Sequence, residues 1–305
     1  MTAPDSNPHR RDVLRLAGTT AVAAAAWSCS SPGTAPESKP DEPRPTERMP
    51  VLFFGHGSPM NAIVDNRWSE GFKKMGASLP KPRAVLAVSA HWCTTGTQLT
   101  ASDPQPTIHD FMNFPKPLHE LQYPAPGSPG LADRVVSLLK DRAITAPATS
   151  LDWGLDHGTW SILTHLIPEA DVPVVQLSLD IRLSSEQNFE LARALHELRD
   201  EGVLILGSGN VTHNLQEAMS ERRGDTTPDW ALEFDRDVAQ AILDRNTSHL
   251  VGTWPSGRHA HRAHPTPDHW YPLLYAYAAT DEDDVVSFPV AGFSGSLSMR
   301  AVRWG

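Results

Sequence analysis

Ala84-Val85-Leu86-Ala87-Val88-Ser89-Ala90-His91-Trp92 begins with five apolar residues and reaches a histidine three positions later. Nothing alternates within the run, so both faces of the segment need cover. Unbroken runs of this kind mark strands buried in the middle of a largely parallel sheet. The same pattern recurs twice. Residues 51–54 lead into Gly55-His56-Gly57, and residues 203–206 lead through Gly207-Ser208-Gly209-Asn210-Val211-Thr212 to His213. Further strands are expected at 172–179, 285–290 and 296–302. Helical stretches separate them at 130–140, 157–166, 185–201, 230–246 and 267–279. The alternation predicts a single α/β domain over 49–305, with a central sheet flanked by helices. The last two strands lie close together after the last long helix. They are expected to form an antiparallel hairpin, which makes the sheet mixed. Residues 103–129 are rich in Pro and His without periodicity and read as a long loop over the site, a candidate lid.

Three histidines therefore end three core strands. In open α/β sheets ligands bind outside the carboxyl ends of the strands, so that is where His56, His91 and His213 are expected to meet. Two more lie at helix starts. His157 follows Asp156, and His269 falls in the first turn of a helix opened by Thr266-Pro267-Asp268, a capping threonine followed by proline and an acid. Neutral imidazole is a common ligand for iron and zinc, and three-ligand sites leave positions open for substrate. A lone strand-end histidine is more ordinarily a hydrogen-bonded structural residue, and no local HExxH spacing is present. Asp110, beside His109, is either functional or a turn residue. His259, His261 and His264 read as a surface loop that binds metal only adventitiously. Gly207-Ser208-Gly209 resembles part of a phosphate-cradling loop but completes no fingerprint.

Composition narrows the classes. Of 305 residues, 40% are hydrophobic and 20% charged, enough for a sizeable core, and the net charge of −10 argues against nucleic acid or an anionic membrane surface as partner. Cys29 and Cys93 are the only cysteines, so no disulfide framework is expected. Arg10-Arg11, followed by an apolar run from Ala17 to Trp27, reads as a twin-arginine export signal over 1–29. That run is shorter than the ~20 apolar residues a membrane span needs. Cys29 is a candidate lipidation site and hence a lipid anchor. Residues 30–48, rich in Pro, Ser, Glu and Asp, read as a disordered tether. Export is extracytoplasmic in consequence. Oligomeric state is left open.

Taken together, GHGSPMN (55–61), SAHW (89–92), PTIHDF (106–111), YPAPGSP (123–129), DHGTW (156–160), VQLSLD (175–180), GSGNVTHNL (207–215), HPTPDHWYPLLY (264–275) and GSLSM (295–299) resemble the 4,5-DOPA extradiol dioxygenase family. These are relatives of the class III extradiol ring-cleavage dioxygenases, and the likeness runs along nearly all of 49–305. The resemblance implies a mixed α/β domain that cleaves a small aromatic diol with dioxygen. It implies one divalent metal ion per chain, Fe(II) for activity with zinc also accommodated, held by His56, His91 and His269. His213 is either a further ligand or the acid–base histidine, expected to titrate near neutrality. His157 stands behind the ligands or touches substrate. Where class III relatives often place a glutamate, His269 leaves the site one negative charge poorer, so its metal should be more electrophilic. The export signal departs from the pattern, because the familiar members are cytoplasmic. Two other readings use the same histidines: a zinc hydrolase, and a non-catalytic metal-binding protein of the envelope.

Overall fold

The computed structural model of the chain describes residues 48–143, 146–221 and 226–305. The expected export signal, Cys29 and the tether lie outside these residues except for Arg48, which pairs with Asp200 at 2.7 Å and also with Asp281.

In chain order the elements are β1 (Val51–Gly55), α1 (Arg67–Ala77), β2 (Ala84–Thr94), β3 (Gln98–Thr100), α2 (Lys116–Glu120), α3 (Pro129–Leu139), β4 (Ala148–Ser150), α4 (His157–Leu166), β5 (Val174–Asp180), α5 (Ser185–Ala192), β6 (Val203–Gly209), α6 (Leu215–Glu221), α7 (Asp229–Leu243), α8 (Thr247–Ser256), α9 (Ala260–Ala263), α10 (Tyr271–Ala278), β7 (Val286–Val290), β8 (Phe293–Ser294), β9 (Leu297–Ser298) and β10 (Ala301–Trp304). Short 3-10 turns occupy Pro59–Ala62, Arg193–Arg199 and Pro267–His269.

Eight strands form one sheet in the order β4-β3-β5-β2-β6-β1-β10-β7. β5, β2, β6 and β1 run parallel, while β10 is antiparallel to both β1 and β7. The mixed sheet expected from the sequence is therefore present. Its strands are covered on both sides. Val51, Phe53, Leu86 and Val88 pack with α3, α5, α7 and α10, whereas Leu52, Phe54, Val85 and Ala87 pack with α1 and α4. This two-sided burial explains the lack of alternation in the strand sequences.

Several expected elements differ. The strand over 296–302 is split: Leu297–Ser298 pairs with β8 in a small hairpin, and only Ala301–Trp304 joins the large sheet. The backbone N–H of Ser298 goes to Thr212 Oγ1 at 2.8 Å rather than to a neighbouring strand. The helix over 185–201 becomes α5 followed by the 3-10 turn at Arg193–Arg199. The helix over 267–279 becomes the 3-10 turn Pro267–His269 and then α10, and the Thr266 side chain makes no cap bond. β2 continues through His91 instead of ending before it, with a register irregularity against β5 between Val88 and Cys93.

Candidate metal centre

His56 leaves β1 on a sharp turn. Gly57 sits at φ +64, and a Cβ there would collide with the Met299 side chain, so only glycine fits without strain. The turn is fixed from both sides, by His56 N–H donating to Gly209 O at 3.0 Å and Asn61 Nδ2 donating to His56 O at 2.9 Å. His91 stands on the irregular stretch of β2. Its N–H meets Ser89 Oγ at 3.2 Å, and Ser89 Oγ donates to the buried Asp156 carboxylate at 2.7 Å. Asp156 also caps α4, accepting from Thr159 N at 3.2 Å, and so sets His157 at the helix start. His269 ends its 3-10 turn, and its carbonyl accepts from Asn210 N at 3.1 Å. Gly209 lies against that carbonyl so closely that a Cβ would fall 2.3 Å from it. Gly207 likewise meets the Pro272 carbonyl. The Gly207-Ser208-Gly209 stretch is thus explained by strand-to-helix packing, not by phosphate.

Each imidazole is oriented from behind. His56 Nδ1 lies 2.9 Å from Ser208 Oγ, whose own proton goes to Gly158 O at 2.6 Å. Ser208 can only accept from His56, so Nδ1 carries the proton and Nε2 presents a lone pair. His157 donates its N–H to Asp110 Oδ1 and its Nδ1–H to Asp110 Oδ2, both at 2.9 Å. The same Oδ2 lies 3.2 Å from His91 Nδ1. His269 Nδ1 is paired with Asp268. Burial alone would raise the Asp110 carboxyl, but its bonds to His157 and His91 hold it well below the usual carboxylate range. For His91, burial acts to lower the pKa; the neighbouring Asp110 and Asp156 override it and raise it.

With the far nitrogens so engaged, the Nε2 atoms converge. His91 Nε2 and His56 Nε2 are 3.1 Å apart. Two lone pairs at that distance repel and require a positive charge between them, a proton or a metal ion. Ligands bonded at ~2.0–2.1 Å to one ion lie about 2.9–3.4 Å from each other, so the spacing fits a metal. His269 Nε2 is buried with no partner, the orphan expected of a ligand atom. Its ring centroid is 5.2 Å from that of His56 and 5.1 Å from that of His91. Among the described residues, ligand nitrogens of His56, His91 and His157 also lie within 4.8 Å of one another, close enough to hold one ion. His157 thus stands closer to the cluster than the sequence suggested, with its ring 3.9 Å from that of His91.

His213 is half-buried and stacks face to face on His269, with centroids 3.4 Å apart. It does not titrate near neutrality as expected. Burial, then the neighbouring His264, lowers it to about 3, so the ring is neutral over the ordinary pH range. His264 corrects another expectation. It is fully buried, with Nε2 2.8 Å from Val211 O, and is a structural residue behind the His213 loop rather than part of a surface loop.

Asp110 reaches the cluster from the 103–129 loop, and Phe111 places its ring 5.6 Å from His157, so this loop does cover the site. Ser208, Asp156 and Asp268 were not singled out in the sequence. The only local hint was adjacency, since Asp156 and Asp268 each precede a site histidine.

An α/β domain with oriented imidazoles converging at its strand ends fits a metal-dependent enzyme, since such a group of histidines could hold a divalent ion. The sequence profile of the catalytic LigB subunit of aromatic ring-opening dioxygenase matches residues 50–298, and the chain belongs to this family. A 4,5-DOPA dioxygenase extradiol of Escherichia coli K12 is 43% identical over 262 residues, covering 85% of this chain and 95% of that protein. The 4,5-DOPA dioxygenase extradiol of Beta vulgaris is 38% identical over 236 residues, covering 76% of this chain and 87% of that protein. The crystal structure of an uncharacterized E. coli K12 protein superposes with a TM-score of 0.71 at 38% identity, covering 85% of this chain and all of that one. The protein is accordingly an aromatic ring-opening dioxygenase, acting on an aromatic diol with dioxygen.

Proposed function

We propose that the protein opens the ring of a DOPA-like catechol beside, rather than between, its two hydroxyls, with Fe(II) as the working metal. The observation that carries this is the 3.1 Å approach of the His56 and His91 Nε2 atoms beside the orphaned Nε2 of His269. His56, His91 and His269 are the ligands, each kept in the Nε2-binding tautomer by Ser208, Asp110 and Asp268 respectively. When bound, Fe(II) supplies a common seat for diol and dioxygen and a path for electrons between them. His213, against His269 and outside the converging nitrogens, is in the neutral form that can accept a proton from a substrate hydroxyl, and its low basicity favours prompt return of that proton. His157, pinned by Asp110, lines the substrate side together with Phe111, which shields the ring from water.

The test is oxygen consumption by Fe(II)-reconstituted, signal-free protein over a panel of catechols. Uptake matching ring-cleavage absorbance is expected. Absence of uptake, with ester or amide hydrolysis by the zinc form, would replace this reading with a hydrolase. Export through the twin-arginine route, with anchoring through Cys29, belongs to the same proposal and is supported by Arg10-Arg11 and the apolar run after it. Arg10→Lys with Arg11→Lys should retain the protein in the cytoplasm, and Cys29→Ser should release it from the membrane fraction.

A further inference from the structure

Asn61 lies in the short turn after His56 and is buried, so both ends of its amide need partners. Its backbone is already tied down. The N–H donates to Ser58 O at 3.0 Å, and the carbonyl accepts from His165 Nε2 of α4 at 2.7 Å. What remains is the direction of the side-chain amide, and α1 decides it. The N–H groups of Trp68 and Ser69, at the start of α1, both donate to Asn66 Oδ1, at 2.8 and 3.0 Å. A backbone N–H can only donate, so the other amide atom of Asn66 is Nδ2, and it points to Asn61 at 3.0 Å. Asn61 must answer with Oδ1, which turns its own Nδ2 toward His56 O at 2.9 Å. His56 is held besides by Gly209 O through its N–H and by Ser208 through Nδ1. The bond from Asn61 is the one that a rotated amide would turn into a repulsion between two oxygens.

We infer that Asn61 is a positioning residue of the metal centre, and that Asn66, through the direction it imposes on the Asn61 amide, lets the start of α1 fix the main chain from which His56 reaches the ion. The inference rests on the reading of His56 as a ligand and adds how that ligand is aimed. Both amides are engaged in these bonds, so neither asparagine is itself a ligand. Their effect is on geometry: a side chain held in place beforehand loses less freedom when it binds.

The test is the zinc affinity of the full chain, read by competition with a chromophoric chelator. Beside it are measured the denaturation midpoint of the metal-free protein and the visible spectrum of the cobalt(II) form. Asn61→Ala should weaken zinc binding about tenfold, the lower end of what loss of a ligand's supporting bond costs. Asn66→Asp keeps a capping oxygen and improves the charge at the helix start, so the metal-free midpoint should hold or rise. Its second oxygen cannot donate, so Asn61 turns its amide and abandons His56. Zinc binding should again fall about tenfold, and the cobalt spectrum should shift. Asn66→Ser also caps the helix but imposes no direction on Asn61, and should match the parent in affinity and spectrum. Parent-like zinc binding in both Asn61→Ala and Asn66→Asp overturns the inference. So does an equal loss in Asn66→Ser, because the helix rather than the amide direction would then be responsible. If His56→Ala binds zinc as tightly as the parent, the ligand reading itself fails and takes this inference with it.

Discussion

Three side chains that bind nothing themselves decide what the histidines can do. Ser208, Asp110 and Asp268 occupy the far nitrogens of His56, His91 and His269 and leave the near ones as lone pairs. Removing such a partner typically costs 10–100-fold in metal affinity, so Asp110→Asn, which acts on His91 and His157 at once, should weaken metal binding by about that range in a competition titration. His213 should behave differently. His213→Ala is expected to retain a full metal complement by atomic absorption and to lose about 10²–10⁴-fold in turnover. Metal loss in that variant would make His213 a ligand. Sequence spacing alone brought out His56, His91 and His213 as strand-end residues, because a buried strand announces itself by composition. It did not separate their roles, and His269 entered the proposed ligand set only through resemblance. The supporting hydroxyl and carboxylates were hidden because a hydrogen bond between residues 152 positions apart, as for His56 and Ser208, leaves no local pattern.

At the level of elements, the central parallel strands were legible and the edges were not. β1, β2 and β6 are apolar on both faces and β5 is buried throughout, though Gln176, Ser178 and Asp180 share one of its faces, whereas β3 and β4 are three residues each and owe their existence to neighbours. α1 was overlooked although Trp68, Phe72 and Met75 mark a helical stripe and Asn66 with Ser69 forms a capping box. The breaks in the expected 267–279 and 296–302 elements coincide with tertiary bonds that no window of sequence contains, Asn210 N to His269 O and Ser298 N to Thr212 Oγ1. One contact between elements makes a sharp prediction. Gly209 of β6 touches the backbone of His269, and backbone cannot move aside as a side chain can. Gly209→Ala should therefore destabilise the fold by about 1–3 kcal/mol in denaturant melts and also lower metal content, because the displaced residue is His269 itself.

Across the molecule, Arg199 closes the end of the sheet opposite the histidines. It is 1% exposed and ties Met49 O, Ala279 O and both oxygens of Asp284, the last two contacts at 2.6 Å. Breaking a buried pair of this kind by removing one partner costs about 3–5 kcal/mol, so Arg199→Met should lower the chemical-denaturation midpoint accordingly. The same pair sets an acid limit. Burial alone would raise the Asp284 carboxyl, but Arg199 outweighs it and holds the folded value below the ordinary one. A carboxyl depressed by folding stabilises fully above its unfolded pKa of about 3.9 and stops doing so as pH falls through the folded value. Stability measured below about pH 4 should therefore decline, and less steeply in Asp284→Asn.

The sheet order has a consequence in time. Among the described residues β10, late in the order, lies between the early β1 and the late β7. His56 and His91 likewise belong to early segments and His269 to a late one, yet their rings gather at one place. The histidine cluster is therefore completed only when distant segments have met, in step with the closing of the sheet.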